Sequence, residues 1–119
     1  MLYNCADDFF RHAATVKRIS REEEKELGLK MKEGDEEAKE ALITGYLPVL
    51  ASYLKRNFRE PSLELVYRGL VVLSDSVQKF NFQIENPTFT RFLGFGIRKM
   101  VTRFIADSPV YDSKKNSLK

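Results

Sequence analysis

The chain of 119 residues has no tryptophan, a single cysteine and a single histidine. One cysteine excludes a disulfide within the chain, and Cys5 and His12 alone are too few to form a zinc site of Cys and His ligands. The low cysteine content fits a reducing compartment such as the cytosol. We therefore expect neither a metal ion nor another cofactor.

Long apolar runs are also missing, which excludes a transmembrane helix, and residues 1–12 lack the basic and apolar regions of a signal peptide. No group of residues has the composition of a catalytic site. Gly94-Phe95-Gly96 lacks the spacing of a phosphate-binding loop. The sequence predicts a soluble, non-enzymatic protein with no membrane partner.

Charge is distributed unevenly along the chain, although the net charge is only +3. Residues 1–40 carry 11 acidic and 8 basic side chains, whereas residues 41–119 carry 6 acidic and 12 basic ones. The basic second half indicates a polyanionic partner. An uneven solvated surface explains the same numbers, and charge alone favours this second interpretation.

The first half of the chain shows the helical period, with clear capping residues. Ser20 and Glu23 form a capping box that begins a helix ending at Gly34. Asp35 then caps a second helix that continues to Phe58. Pro48 is expected to kink this second helix, because it removes a hydrogen bond from the interior.

The second half continues the same pattern. Ser62 and Thr88 cap two long helices, over roughly 63–80 and 89–106, and a short helix is expected before Lys17. No strand pattern is visible. The sequence predicts an all-α fold, a compact bundle of four to five helices.

Residues 88–104, TFTRFLGFGIRKMVTRF, combine four phenylalanines with four cations and no acidic residue. One side of this helix collects the predicted core positions Phe89, Leu93, Gly96, Ile97, Met100 and Phe104. The other side collects cations around an aromatic ring: Arg91, Phe95, Arg98, Lys99 and Thr102, with Phe92 at the border. Cations and stacking rings together are how proteins hold single-stranded nucleic acid. Packing of Phe95 against another helix is the alternative.

Residues 19–43, ISREEEKELGLKMKEGDEEAKEALI, resemble the segment that opens the conserved core of housekeeping-type bacterial RNA polymerase sigma factors. Val77-Gln78-Lys79-Phe80 and Thr102-Arg103 also resemble family motifs, and the resemblance covers roughly residues 8–106. It implies the helical second domain of that family in the bacterial cytoplasm. The partners it implies are promoter DNA and a coiled coil of the largest subunit of the RNA polymerase core.

The resemblance implies that the last long helix captures bases of the melted −10 promoter element. Phe95 stands where the family has the first of two tryptophans, and Phe92 where it has a tyrosine. Gly96 replaces the second tryptophan. Lys99 replaces a glutamine that reads a promoter base pair, and lysine cannot make the bidentate amide contact with adenine. The predicted DNA-binding residues are Phe89, Arg91, Phe92, Phe95, Arg98, Lys99, Thr102 and Arg103.

The preceding helix departs further from the family. The family motif is Asp-Leu-Ile-Gln-Glu-Gly-Asn, whereas this chain has ELVYRGL at residues 64–70. Arg68 stands where the family motif has glutamate. Such a reversal of charge is costly if the partner's surface is unchanged. The predicted protein-binding residues are Glu64, Tyr67, Arg68 and Val71. A solvated face is the alternative, because Glu64–Arg68 and Asp75–Lys79 can form ion pairs within the helix.

The predicted organisation is one helical domain over residues 1–106 and a flexible tail over residues 107–119. Sigma factors also carry a C-terminal domain that reads the −35 element, and this chain ends before one could follow. We therefore expect promoter recognition that needs a second chain carrying a −35-binding domain, unless the sequence is one domain of a longer protein. The alternative function is a repurposed sigma-like protein-interaction module, a decoy or regulator without specific DNA binding.

Overall fold

Helices dominate the computed structural model, which describes residues 3–84 and 87–107. These residues form α1 (Ala6–Thr15), α2 (Arg21–Lys32), α3 (Glu36–Gly45), α4 (Leu47–Asn57), α5 (Leu63–Lys79) and α6 (Phe89–Asp107). No strand occurs in the described ranges, which confirms the predicted all-α fold. The predicted tail over residues 107–119 lies outside the described residues, apart from Asp107.

Capping side chains begin four of these helices where the sequence predicts. Ser20 Oγ accepts the Glu23 amide hydrogen at 3.1 Å, and the Glu23 carboxylate accepts the Ser20 amide hydrogen at 2.9 Å. Gly34 follows α2 with a φ of 96°, which glycine adopts easily. Three other helices are capped in the same way, since the starts of α3, α5 and α6 each have a side chain that accepts a backbone amide hydrogen. These side chains are Asp35, Ser62 and Thr88, respectively.

Replacing Ser20 with alanine is expected to lower the free energy of unfolding by about 0.5–2 kcal/mol. The Glu23 amide loses its side-chain acceptor, whereas the residue-20 backbone amide that donates to the Glu23 carboxylate is kept. Urea denaturation followed by circular dichroism measures the change. Thr15→Ala is the control, since among the described residues that hydroxyl bonds to the His12 carbonyl at the end of α1 and caps no helix start. Equal losses in both variants would contradict the capping role of Ser20.

The predicted second helix is divided into two. α3 ends at Gly45, α4 begins at Leu47, and Pro48 lies in the first turn of α4. Proline has no amide hydrogen to donate, so it fits the first turn of a helix better than its interior. The expected kink is therefore a complete break, and the described residues form six helices where the sequence predicts four or five.

The core lies between α3, α4, α5 and α6, with α1 covering α4 and α5. Its largest fully buried side chains are phenylalanines from separate parts of the chain: Phe9, Phe58, Phe82, Phe89 and Phe104. The Phe80, Phe82 and Phe89 rings contact one another, with centroids 5.0–5.4 Å apart. This cluster joins the end of α5 to the start of α6 and so positions α6.

Gly96, a predicted core position, marks the close approach of α5 to α6. A Cβ atom at Gly96 would lie 3.0 Å from Val72 Cγ1 of α5. The predicted core side of α6 is buried at most of its positions, but Gly96 and Met100 are only half-buried, and Val101 is buried in addition. None of the six described helices combines the length and apolar character that crossing a bilayer requires.

Candidate nucleic-acid interface

α6 turns one face to the core and the opposite face to solvent. The described structure exposes these residues of the predicted DNA-binding set: Arg91, Phe95, Arg98, Lys99, Thr102 and Arg103. Phe95 is 51% exposed and is therefore not enclosed by another helix of the described structure. An aromatic ring thus lies on the solvent side of α6 among cations.

The sequence predicts that Phe89 contacts DNA, but its side chain lies in the core. Its ring is only 2% exposed, and its centroid lies 4.5 Å from that of Tyr46 and 5.4 Å from that of Phe80. It faces the core because it lies one helical turn before the buried Leu93. Phe92 is half-buried, with its ring 5.2 Å from Phe80, so part of this ring remains accessible.

Phe95 lines a groove of about 420 Å³ between α4 and α6. Its other lining side chains include Tyr53, Arg56, Arg91 and Arg98, and none of its lining residues is acidic. Within residues 3–84 and 87–107, none of the three arginines forms an ion pair. The groove therefore combines aromatic rings with three uncompensated positive charges.

Gly94 allows Tyr53 to enter this groove. A Cβ atom at Gly94 would lie 2.8 Å from Tyr53 Oη, so any larger residue here would displace the Tyr53 ring from its present position. Tyr53 Oη donates to the Thr90 carbonyl at 3.1 Å, and Asn57 Nδ2 donates to the Tyr53 carbonyl at 2.8 Å. The Arg56 guanidinium lies over the Tyr53 ring, 5.3 Å from its centroid. These contacts hold a ring and a cation in fixed positions beside α6.

The basic surface continues beyond Tyr53 into a smaller hollow of about 230 Å³. Tyr53 and Arg56 line both spaces, and the hollow adds Arg18 from the segment between α1 and α2. A chain of cations therefore crosses from α6 over α4 towards Arg18. Such a path suits an extended polyanion.

Sequence reasoning missed Tyr53, Arg56 and Arg18. Ser52 and Arg56 are one helical turn apart on the exposed side of α4, which is a local signal. The proximity of α4 to α6 is a tertiary feature, and no local pattern predicts it.

The predicted protein-binding residues lie on α5. The Glu64 and Arg68 side chains form an ion pair at 3.1 Å, as do Asp75 and Lys79, which confirms both predicted pairs. The Arg68 guanidinium also lies 5.2 Å from the Phe104 ring centroid. Val71 is 68% exposed, the highest value among the large hydrophobic side chains of the described structure.

The Tyr67 hydroxyl is occupied within the chain. It accepts the Tyr3 amide hydrogen at 2.7 Å and donates to the Tyr3 carbonyl at 3.2 Å. The Tyr3 phenol oxygen lies 2.8 Å from His12 Nδ1. Burial raises the pKa of the Tyr3 phenol, and the charge of Tyr67 raises it further. Tyr67 therefore offers a partner its ring, while its hydroxyl anchors the residues before α1.

The described residues contain no group of three His, Cys, Asp or Glu side chains placed to hold a metal ion. No protein-family model matches the chain. Over 101 residues the chain is 31% identical to the RNA polymerase sigma factor SigA of Clostridium acetobutylicum, an alignment that covers 83% of this chain. The chain contains a sigma-factor-like region. It spans about a quarter of the length of SigA, 26%, and its all-helical fold is consistent with such a region.

Proposed function

We propose that this sigma-like chain acts in transcription by binding the single-stranded −10 region of promoter DNA in the groove between α4 and α6. One observation carries the proposal: the half-exposed Phe95 ring lies beside three guanidiniums that make no ion pair within the described residues. The similarity to a sigma factor over most of the chain supports a role in transcription.

The groove has the two components that single-stranded DNA requires. Arg56, Arg91 and Arg98 attract the phosphates, and their planar guanidiniums can bind two phosphate oxygens at once. The Phe95 and Tyr53 rings provide faces on which unpaired bases can stack. A duplex hides these base faces within its own stack, so the groove is expected to prefer the melted strand.

The exposed cations further along α6 extend the proposed site. Lys99 and Arg103 can contact phosphates, and the Thr102 hydroxyl can donate to a phosphate oxygen. Phe92 adds the accessible part of its ring at the other end of the helix. Contacts to phosphates fix the position of the strand, and the rings hold its bases.

We also propose that α5 contacts the RNA polymerase core through Glu64, Arg68 and Val71. Val71 provides an exposed apolar side chain, and the Glu64–Arg68 ion pair lies on the surface beside it. Such a surface pair is worth only about 0.2–0.5 kcal/mol, so a partner can open it at small cost.

The exposure of Val71 favours a second candidate function, a protein-interaction module without specific DNA binding. In that case the domain pairs through α5 with itself, with another sigma fragment or with polymerase as a decoy. Gel filtration and a pull-down against purified polymerase core distinguish these partners. A chain that binds polymerase but no single-stranded DNA would favour this second function.

Binding of a fluorescein-labelled DNA single strand is expected to weaken steeply as salt rises, because each contacted phosphate releases counterions. The plot of log K against log[salt] should have a slope of about −0.7 for each contacted phosphate. Arg56→Gln should make this slope shallower by about 0.7 to 1. Fluorescence anisotropy at several salt concentrations measures it.

Lys55→Gln is the matched control for Arg56→Gln. Lys55 is the exposed neighbour of Arg56 on α4, but its ammonium lies over the Phe10 ring, 4.8 Å from the centroid, and does not line the groove. Its replacement removes the same charge and should leave the slope nearly unchanged. Equal effects of the two substitutions would show that net charge, and not the groove, determines binding.

A further inference from the structure

A second groove lies on the other side of α6, against α5, with a volume of about 840 Å³. Its apolar surface comes from Val72 of α5 and from Gly96, Met100 and Ala106 of α6. Gly96 lies in this groove where α5 approaches α6, and a Cβ atom there would be 3.0 Å from Val72 Cγ1. The proposed DNA-binding site does not use this apolar surface.

Positive charge surrounds the apolar surface. Arg98, Lys99 and Arg103 line the groove, and Asp107 provides a single carboxylate at the end of α6. Within the described part of the chain, none of the three cations forms an ion pair. An occupant that brings carboxylates would therefore neutralise charges that the fold leaves uncompensated.

The two grooves differ in the ligand that they fit. Phe95 and Tyr53 provide rings for base stacking between α4 and α6, whereas no aromatic side chain lines the groove between α5 and α6. Aliphatic side chains and the adaptable Met100 suit apolar side chains of a protein. The cations around them suit carboxylates, and electrostatic complementarity of this kind selects partners.

We propose that the groove between α5 and α6 docks an acidic amphipathic segment of a partner protein. Leucine-like side chains of that segment would enter between Val72 and Met100, and its flanking Asp or Glu residues would pair with Arg98, Lys99 and Arg103. This is the arrangement of an amphipathic helix in a groove, with apolar anchors on one face and charges beside them.

Arg98 lines both grooves. If DNA binds along α6 as proposed above, an acidic segment in the second groove competes for this guanidinium and also for Lys99 and Arg103, which the proposed DNA-binding site uses as well. The two ligands then weaken each other's binding, and the effect is equal in both directions because binding free energies are linked. The docking itself does not depend on DNA binding.

The test uses a fluorescein-labelled helical peptide of roughly 18 residues, long enough to be helical on its own, with a leucine stripe flanked by glutamates. Anisotropy measures its affinity for the full chain, and amide chemical shifts locate it. We expect saturable binding that shifts the amides of Val72, Gly96 and Met100. Ala106→Glu should weaken binding at least tenfold, because it places a like charge in the groove.

Ala14→Glu is the matched control, since Ala14 and Ala106 are both exposed and lie in the last turn of their helices. It makes the same change in net charge on α1 and should leave peptide affinity unchanged. Equal weakening by both variants would overturn the proposal, as would equal binding of a peptide with glutamine in place of every glutamate.

Two further outcomes would also overturn the proposal. In one, the peptide does not bind. In the other, a DNA single strand shifts the Val72 and Met100 amides and the peptide does not, which assigns the groove to nucleic acid. The peptide titration contains no DNA, so its result is separate from the test of the groove between α4 and α6. In the chain with Phe95→Ala, peptide affinity should remain that of the unchanged protein.

Discussion

Replacing Phe89 with alanine is expected to lower the free energy of unfolding by about 3–5 kcal/mol. The ring is 2% exposed and contacts the Tyr46, Phe80 and Phe82 rings, with centroids 4.5–5.4 Å away. Its removal leaves a cavity where α3, the residues after α5 and the start of α6 meet, and the surrounding aromatic rings can close it only in part. Urea denaturation measures the loss.

Phe95→Ala is the control for this measurement, because it removes the same side chain from an exposed position of the same helix. The expected loss of stability there is about 1 kcal/mol or less. A comparable loss in the two variants would contradict the assignment of Phe89 to the core and Phe95 to the surface. A stable, folded Phe89→Ala chain with selectively weakened DNA binding would restore Phe89 to the binding site.

Phe95→Ala is expected to weaken the binding of single-stranded DNA by about 1–3 kcal/mol, a factor of roughly 5 to 150. The half-exposed ring loses its stacking contact with a base, while Arg91 and Arg98 keep their contacts with the phosphates. The salt dependence should therefore stay the same as the affinity falls. Anisotropy of a labelled strand at two salt concentrations separates these two effects.

Two further variants serve as controls for this prediction. Phe95→Trp keeps a stacking ring and should retain affinity, whereas Val71→Ala removes an even more exposed apolar side chain outside the groove and should have no effect. Unchanged binding by Phe95→Ala would contradict the stacking role. A stability loss of about 3 kcal/mol in that variant would instead identify Phe95 as a core ring.

Much of the fold follows from local chemistry. Ser20, Asp35, Ser62 and Thr88 each bond to an amide within the next three residues, so a short stretch of sequence is enough to predict where each helix begins. The break near Pro48 was predicted only as a kink. Whether a proline bends a helix or begins a new one depends on how the two segments pack, which the spacing of apolar residues does not determine.

The exposed face of α6 is also predictable from local sequence, because the helical period separates Phe95 and Arg98 from the buried Leu93 and Ile97. The rest of the site depends on contacts between distant segments. Tyr53 reaches Thr90 across 37 positions, and Tyr67 reaches Tyr3 across 64. No local pattern predicts that the first contact builds the groove or that the second occupies the hydroxyl of a predicted partner-binding residue.

The most direct test of the central claim is an anisotropy titration of the chain with a labelled non-template strand of the −10 element, with and without RNA polymerase core. A scrambled strand of the same length and composition serves as the reference. We expect tighter binding of the −10 strand, strengthened by polymerase and weakened steeply by salt. Equal affinity for the two strands, or no binding under either condition, would contradict it.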